Sequence, residues 1–201
     1  MRIEVNPQYP EPRKIQRAVD ALNQGEVIVY PTDTVYGIGC ALGHKRAVDR
    51  IFHLTGKDES QPLTFVCTDL SDIAKYAVVE NTHYRLVKRL LPGPYTFILP
   101  ATREVPRMLL SKRKTVGIRV PDHPVALALT KALGTPILST SASYRGEETL
   151  HDPAEIVQRF KGIELVLDAG ACGVVSSTVV DLTGSEPVIV REGAGPVDGV
   201  I

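Results

Sequence analysis

Residues 26–39 read EVIVYPTDTVYGIG, and this stretch determines which fold the sequence can form. It begins with a short apolar run typical of a buried strand, and polar turn residues follow before the next helical segment. Ligands of open α/β sheets gather at such strand ends. The hydroxyls of Thr32 and Thr34, beside exposed backbone N–H groups, suit a carboxylate or phosphate. Threonine, aspartate and glycine are also ordinary turn residues, so a capped turn is an equal alternative.

Other apolar runs of similar length recur along the chain and are predicted to be strands. They occupy residues 63–67, 95–99, 115–120, 136–140, 163–168, 178–182 and 187–191. The last two runs are separated by TGSE, residues 183–186, which suits a hairpin connection.

Apolar residues at helical spacing predict helices between the strands. The helical segments lie between Pro12 and Gly25, Ala47 and Leu54, Tyr84 and Leu91, Pro124 and Gly134, and Asp152 and Phe160. Strands that alternate with helices pair in parallel, whereas the closing hairpin and strands without an intervening helix pair antiparallel. The expected fold is therefore α/β, with a twisted, open, mixed sheet and helices packed on it.

The composition predicts a single globular domain over residues 1–201. Hydrophobic residues make up 43% of the chain and charged residues 23%, which is enough apolar material for a full core. Lysine plus arginine and aspartate plus glutamate balance at 23 each, so no overall field favours nucleic acid. No run approaches the roughly 20 apolar residues of a membrane helix. A cytoplasmic protein without a membrane partner is expected, with its three separate cysteines buried and reduced.

Arg119 is the unusual residue of the predicted strand 115–120. Strand alternation turns Arg119 and Gly117 away from the apolar residues between them. A guanidinium in the middle of a sheet needs an anionic partner, because an unpaired buried charge is very costly. That partner is either an internal carboxylate, such as Asp33 or Asp181, or a ligand carboxylate or phosphate gripped bidentately. Gly117 allows close approach to the strand, which favours the ligand.

Two further hydroxyl clusters lie at strand ends. Residues 139–143 read STSAS and put four hydroxyls at the end of an apolar strand, although such clusters are often simple loops. Residues 176–178 read SST and lead into a strand, and Arg191 ends the last predicted strand. Arg191 with Ser177 nearby would complete an anion-binding rim, whereas a merely exposed arginine is the alternative.

Motifs of several familiar chemistries are absent from the sequence. It contains no G-x-x-x-x-G-K-[ST], no G-x-G-x-x-G, no H-E-x-x-H and no G-x-S-x-G. The five histidines are scattered without metal-ligand spacing, so no metal site is predicted. No residue is assigned as a catalytic nucleophile, acid or base.

The stretch 30–39 closely resembles the signature of the YrdC-like family, and further segments continue the resemblance in the same order. They are LPGPYTF at 91–97, VGIRVP at 116–121, STSA at 139–142, STVVD at 177–181 and REG at 191–193. The similarity spans about residues 13–198, and several spaced motifs together are highly specific. The best-known activity of that family is threonylcarbamoyl-AMP synthesis.

The resemblance implies a fold, a set of substrates and a set of binding residues. It implies a twisted open sheet whose concave surface binds threonine, bicarbonate and ATP. These give threonylcarbamoyl-AMP and pyrophosphate for tRNA threonylcarbamoyladenosine. ATP is a substrate, accompanied by Mg²⁺, and no structural metal is implied. Carried across position by position, the threonine side comprises Thr32, Arg119, Ser139 and Ser177, and the nucleotide side comprises Lys57, Ser141, Ser143 and Arg191.

The sequence departs from the synthase pattern at two places. Thr55-Gly56-Lys57 stands where the synthases carry K-x-R, and Ser141-Ala142-Ser143 stands where they carry S-x-N. Both changes alter contacts expected to face a triphosphate, so weak synthase activity is implied. This pattern resembles the YciO-like branch of the family, which lacks the synthase motif.

The sequence is compatible with three functions. The protein makes threonylcarbamoyl-AMP weakly, hydrolyses that intermediate, or acts as a non-catalytic module for double-stranded RNA or tRNA. The RNA alternative depends on a basic patch formed by Lys112, Arg113 and Lys114 with Arg103 and Arg107. A salt-sensitive RNA shift would favour the module, and ATP-dependent pyrophosphate release would favour the synthase.

Overall fold

The computed structural model describes residues 1–58 and 60–200. Within that range, one sheet and six α-helices form the α/β fold expected from the sequence. The strands are β1 (Arg2–Glu4), β2 (Ile28–Tyr30), β3 (Gly37–Ala41), β4 (Thr64–Val66), β5 (Tyr95–Pro100), β6 (Thr115–Arg119), β7 (Ile137–Ser141), β8 (Leu165–Asp168), β9 (Thr178–Asp181) and β10 (Val188–Arg191). The helices are α1 (Pro12–Asn23), α2 (Lys45–Thr55), α3 (Leu70–Tyr76), α4 (Asn81–Leu90), α5 (Pro124–Leu133) and α6 (Pro153–Arg159), and Arg107–Leu109 forms a short 3-10 turn. None of these helices combines the length and apolarity needed to cross a membrane.

The sheet is mixed, as the alternation of strands and helices predicted. Its strand order is β1-β8-β2-β3-β7-β4-β6-β5-β9-β10. β8 pairs in parallel with β1 and β2, β4 with β6, and β5 with β9. The other pairs are antiparallel, including the predicted closing hairpin of β9 and β10.

The helices cover the two faces of the sheet unequally. On one face, α2, α3, α4 and α6 contribute to the larger apolar core, which includes Val29, Phe65 and Ile118. On the other face, α1 and α5 pack together over Ile28 and Leu165. The apolar cluster beneath α1 and α5 contains residues of β2, β4, β7 and β8, but none of β5, β6, β9 or β10. That half of the second face is therefore left open for a binding site.

β3 was not predicted, because the sequence suggested a polar turn followed directly by a helix. The helix starts only at Lys45, and Gly37–Ala41 instead form a strand between β2 and β7. Glycine in a strand interior gives no strand signal and often marks close approach of another group. Here a β-carbon would come within 2.8 Å of Ser139 at Gly37 and within 2.6 Å of Ile137 at Gly39, and within 3.1 Å of the Tyr30 ring at both.

Two other elements, β1 and α3, were also missed. β1 has three residues at the edge of the sheet, and only its middle residue is partly buried. α3 is seven residues long and is capped at its N-terminus by Asp69, whose carboxylate accepts a hydrogen bond from the backbone N–H of Asp72. Both elements are too short to develop the periodicity from which the longer ones were predicted.

Candidate functional site

The open half of the sheet holds a cavity of about 780 Å³, a volume typical of small-molecule sites. Strand alternation builds its floor, since Gly117 and Arg119 face the cavity while Val116 and Ile118 lie in the core on the other face. All eight residues predicted to bind ligand line this one cavity: Thr32, Lys57, Arg119, Ser139, Ser141, Ser143, Ser177 and Arg191. Their contacts with a ligand stay a prediction.

Arg119 has the internal carboxylate partner considered for it, and it also faces the cavity in which a ligand anion could bind. Its Nη2 lies 2.5 Å from Oδ1 of Asp33, so the internal carboxylate exists, and both side chains are largely buried. The guanidinium also lines the cavity, and its Nε has no hydrogen-bond acceptor among the described residues. Arg119 therefore has a structural partner and still has donor capacity for a ligand.

The other internal candidate, Asp181, is not the partner of Arg119. It lies 3.2 Å from the guanidinium of Arg113, which also donates to Thr183. Arg113 belongs to the basic segment suggested as an RNA patch, in which Lys112 and Lys114 are exposed. One cation of that patch is thus already paired with a carboxylate.

The Thr32 side chain caps the turn between β2 and β3. Its hydroxyl donates to the carbonyl of Val35 at 2.6 Å and accepts from the backbone N–H groups of Thr34 and Val35 at 3.2 Å. The capped-turn alternative is correct for these hydrogen bonds. Thr32 also lines the cavity, so the turn forms part of its wall.

Arg191 and Ser177 meet at the far side of the cavity. Nη2 of Arg191 donates to the backbone carbonyl of Ser177 at 2.7 Å, and the Ser177 hydroxyl lies 2.8 Å from that of Thr96. Arg191 is an exposed residue, as the alternative held, but its guanidinium is held against Ser177 and lines the cavity. The predicted proximity of these two residues is confirmed.

Lys57 joins the two places where the sequence departs from the synthase pattern. Its Nζ donates to Oγ1 of Thr140 and to the carbonyl of Ser141, both at 2.9 Å. Oγ of Ser141 in turn lies 3.2 Å from Oγ of Ser143. Lys57 and Ser143 thus belong to one polar cluster at the end of β7.

Thr55 does not belong to this cluster, although both altered motifs were expected to face a triphosphate. It is fully buried in the last turn of α2, where its hydroxyl donates to the carbonyl of Ile51 at 2.8 Å. It is not among the residues that line the cavity. Lys57 and Ser143 are therefore the altered positions that can act directly on a ligand.

The cavity is electropositive. Lys57, Arg119 and Arg191 place three cations around it. The carboxylate of Glu147 also lines it and pairs with Arg159, while Asp33 pairs with Arg119. Within residues 1–58 and 60–200, neither Lys57 nor Arg191 forms an ion pair with a carboxylate. Burial and, secondly, the charge of Arg191 lower the pKa of Lys57 to about 8. Burial and the charge of Arg119 likewise lower the pKa of Arg191. Such a cavity favours an anion, which would relieve the repulsion.

Relative to the wild type, we expect Lys57→Met to gain thermal stability as the pH falls from about 10 to neutral, whereas the loss of the Lys57 hydrogen bonds affects stability at both pH values. The pKa of Lys57 is lowered from 10.5 to about 8 in the folded state, so the folded protein binds fewer protons than the unfolded chain between these values. The unfavourable charge is fully present below pH 8, and wild-type stability rises with pH through this window. Melting curves of both proteins at neutral pH and at about pH 10 measure this change in the stability difference. A difference in melting temperature that is the same at both pH values would contradict this expectation.

Several cavity residues were not predicted as site residues. They include Tyr30, Gln61, Thr64, Thr96, Thr140 and Thr149. Alternation within the strands would have found Thr64 and Thr96, because each precedes a phenylalanine that faces the core. Gln61 and Thr149 lie in loops, whose position no periodic pattern predicts.

Comparison with known proteins places the chain in a family. A family model named for Sua5, YciO and YrdC, and described as "Telomere recombination", matches residues 20–193. The chain belongs to the Sua5/YciO/YrdC family. The resemblance inferred from the six motifs is confirmed, and the match covers every one of the eight candidate residues.

The relatives of this chain include uncharacterized proteins at about half identity and threonylcarbamoyl-AMP synthases at about one third identity. The chain is 46% identical to YciO of Escherichia coli over 196 residues, covering 96% of this chain and 95% of that protein. An uncharacterized protein of Haemophilus influenzae is 50% identical over 195 residues, covering 95% and 94%. A threonylcarbamoyl-AMP synthase of Pyrococcus abyssi is 33% identical over 190 residues, covering 93% of this chain and 56% of the synthase.

Solved structures of the family agree with this fold. The crystal structure of E. coli YciO superposes with a TM-score of 0.96 at 44% identity, covering 100% of this chain and 99% of that one. The crystal structure of P. abyssi Sua5 complexed with L-threonine gives a TM-score of 0.92 at 33% identity, covering 98% of this chain and 59% of the Sua5 chain. The YciO-like pattern predicted from the two altered motifs agrees with these relatives.

Proposed function

We propose that this protein binds threonine and an adenine nucleotide in this cavity and acts on the threonylcarbamoyl-AMP reaction. The observation that carries the proposal is the convergence of the eight residues selected from the sequence, on separate strands and loops, on a single electropositive cavity. Threonine, bicarbonate and ATP are the proposed substrates. The product belongs to the formation of threonylcarbamoyladenosine in tRNA.

The threonine end of the cavity has the groups that an amino acid requires. Arg119 has donors left over from its ion pair with Asp33 and can donate hydrogen bonds to a carboxylate of the ligand. The hydroxyls of Ser139 and Ser177 supply neutral hydrogen bonds on either side. The likeness to a Sua5 structure complexed with L-threonine supports this assignment.

The nucleotide end has two cations without a carboxylate partner among the described residues, Lys57 and Arg191. They would bind the phosphates of ATP, which carry Mg²⁺ with them. In the proposed reaction the threonine nitrogen adds to bicarbonate and water leaves, giving a carbamate. A carbamate oxygen then attacks the α-phosphorus, and pyrophosphate departs with the electron pair of the broken P–O bond.

Synthesis is expected to be slow in this chain. The departing pyrophosphate carries concentrated negative charge, which preorganised cations stabilise in the transition state. Where the synthases carry K-x-R, this chain has one lysine whose pKa is lowered to about 8, and Thr55 supplies no charge. The adenylate needs fewer cations than the triphosphate, so the protein should process threonylcarbamoyl-AMP faster than it makes it.

One experiment measures both the synthesis and the breakdown of threonylcarbamoyl-AMP. Purified protein is given threonine, bicarbonate, ATP and Mg²⁺, and separately the preformed intermediate, while pyrophosphate and AMP are followed. We expect slow pyrophosphate release that requires both threonine and bicarbonate, and faster AMP release from the intermediate. Pyrophosphate release without threonine would indicate simple ATP cleavage instead.

Two outcomes would change the proposal. Rapid synthesis by the unmodified protein would mean that the altered motifs are dispensable. Absence of turnover in both assays, together with tight and salt-sensitive binding of double-stranded RNA, would replace the enzyme proposal with an RNA-binding module.

A further inference from the structure

Tyr30 occupies a distinctive place between the apolar core and the cavity. It is the last residue of β2, and it pairs with Gly37 across the sheet. Its ring packs in the apolar cluster beneath α1 and α5, on the face that carries Arg119 and Ser139, and it lines the cavity. Its side chain therefore ends where the apolar cluster meets the candidate threonine end.

Two glycines let the Tyr30 ring cross β3. A β-carbon on Gly37 would lie 3.1 Å from Cζ of Tyr30 and 2.8 Å from Oγ of Ser139. The carbon that bears the phenolic hydroxyl and the Ser139 hydroxyl are thus both within 3.1 Å of one point. Although burial raises the pKa of Tyr30, the Ser139 side chain acts to lower it, so the Tyr30 hydroxyl lies close to Ser139, a residue of the proposed threonine end.

The Tyr30 hydroxyl is fully buried and forms no hydrogen bond of ordinary length and geometry with the described residues, Ser139 being the polar neighbour that most opposes the rise in its pKa. Nε of Arg119, on the same side of the cavity, is a second buried donor without an acceptor. Buried polar groups are nearly always hydrogen-bonded, because an unsatisfied one is costly. Burial raises the pKa of Tyr30 to about 12, although the Ser139 hydroxyl and the charge of Arg119 oppose this, so the phenol remains a neutral donor.

We propose that Tyr30 is a further ligand-binding residue, whose hydroxyl donates a hydrogen bond to the same substrate carboxylate that Arg119 binds. The inference rests on the proposed function, since it names a residue of that threonine site. It assigns a ligand contact to a residue outside the eight selected from sequence. It also explains why an aromatic residue with a hydroxyl lies over two glycines at the border of an apolar core.

Tyr30→Phe tests the assignment, because it removes the hydroxyl and keeps the ring. We expect the Kd for threonine, measured by calorimetry, to rise about tenfold, as for the loss of one hydrogen bond to a charged group. The melting temperature without ligand should be unchanged or higher, since a buried unsatisfied group disappears. The increase in melting temperature caused by threonine should shrink accordingly.

Tyr95→Phe is the matched control. The Tyr95 hydroxyl donates to the carbonyl of Pro196 at 2.9 Å, and Tyr95 does not line the cavity. This variant should melt at a lower temperature and keep the wild-type Kd for threonine, which is the opposite of the pattern for Tyr30→Phe.

The possible results separate the inference from the proposed function. Equal Kd values for wild type and Tyr30→Phe would overturn the inference alone. A Tyr30→Phe protein that loses stability while its Kd is unchanged would also overturn it, because the hydroxyl would then serve the fold. A wild type that binds no threonine would overturn the proposed function and the inference with it.

Discussion

Replacing Arg119 with methionine and Asp33 with asparagine together should give a folded protein that binds threonine at least about a hundredfold more weakly. Two charge-assisted hydrogen bonds to the ligand carboxylate, each worth about 1.5–3 kcal/mol, would be lost. The paired change is needed because Arg119 and Asp33 are bound to each other and both are largely buried. Calorimetric titration with threonine measures the affinity, and thermal melting measures the fold.

The single variant Arg119→Met should behave differently. It leaves the Asp33 carboxylate buried without its partner, which costs about 3–5 kcal/mol of stability. Asparagine at position 33 removes that charge, so the double variant should melt at a higher temperature than the single one. Lys14→Met breaks an exposed ion pair with Glu11 and should alter neither measurement appreciably. If the double variant bound threonine as well as the wild type does, Arg119 would serve only the fold.

Periodic patterns predicted most of this fold because most of its elements are long enough to show them. α1 repeats its apolar residues on one stripe, and these are the residues that are buried. β3 shows the limit of such reasoning, since Gly37 and Gly39 carry no strand signal of their own. What makes this segment a strand is its pairing with β2 and β7 under the Tyr30 ring, a contact between residues that no local pattern reports.

The candidate site could be predicted to the extent that strand alternation and motifs determine it. Alternation placed Arg119 on the open face of the sheet, but it could not say whether Asp33, Asp181 or a ligand would pair with Arg119 there. The alignment of Thr55 with a synthase lysine suggested a cavity position, whereas the structure buries this residue in α2. Partners and burial depend on the packing of distant elements, which a single sequence does not specify.

The burial of Thr55 determines which substitutions should restore synthase activity. A lysine placed at Thr55 would enter a fully buried position and cost stability, whereas Lys57 and Ser143 already face the cavity. Arginine at position 57 stays charged at any working pH, unlike a lysine whose pKa is about 8. Asparagine at position 143 returns the amide of the S-x-N motif beside Ser141.

Lys57→Arg should therefore raise threonine-dependent pyrophosphate release, and adding Ser143→Asn should raise it further, to about tenfold or more above the wild type. The physical reason is that preorganised donors stabilise the charge of the departing pyrophosphate, a contact that can be worth orders of magnitude in rate. Lys14→Arg, which adds an arginine outside the cavity, should leave the rate unchanged. The wild-type affinity for AMP should fall as pH rises through about 8, as Lys57 loses its proton, and that dependence should disappear in Lys57→Arg. An unchanged rate in a double variant that still binds AMP would show that other groups handle the pyrophosphate.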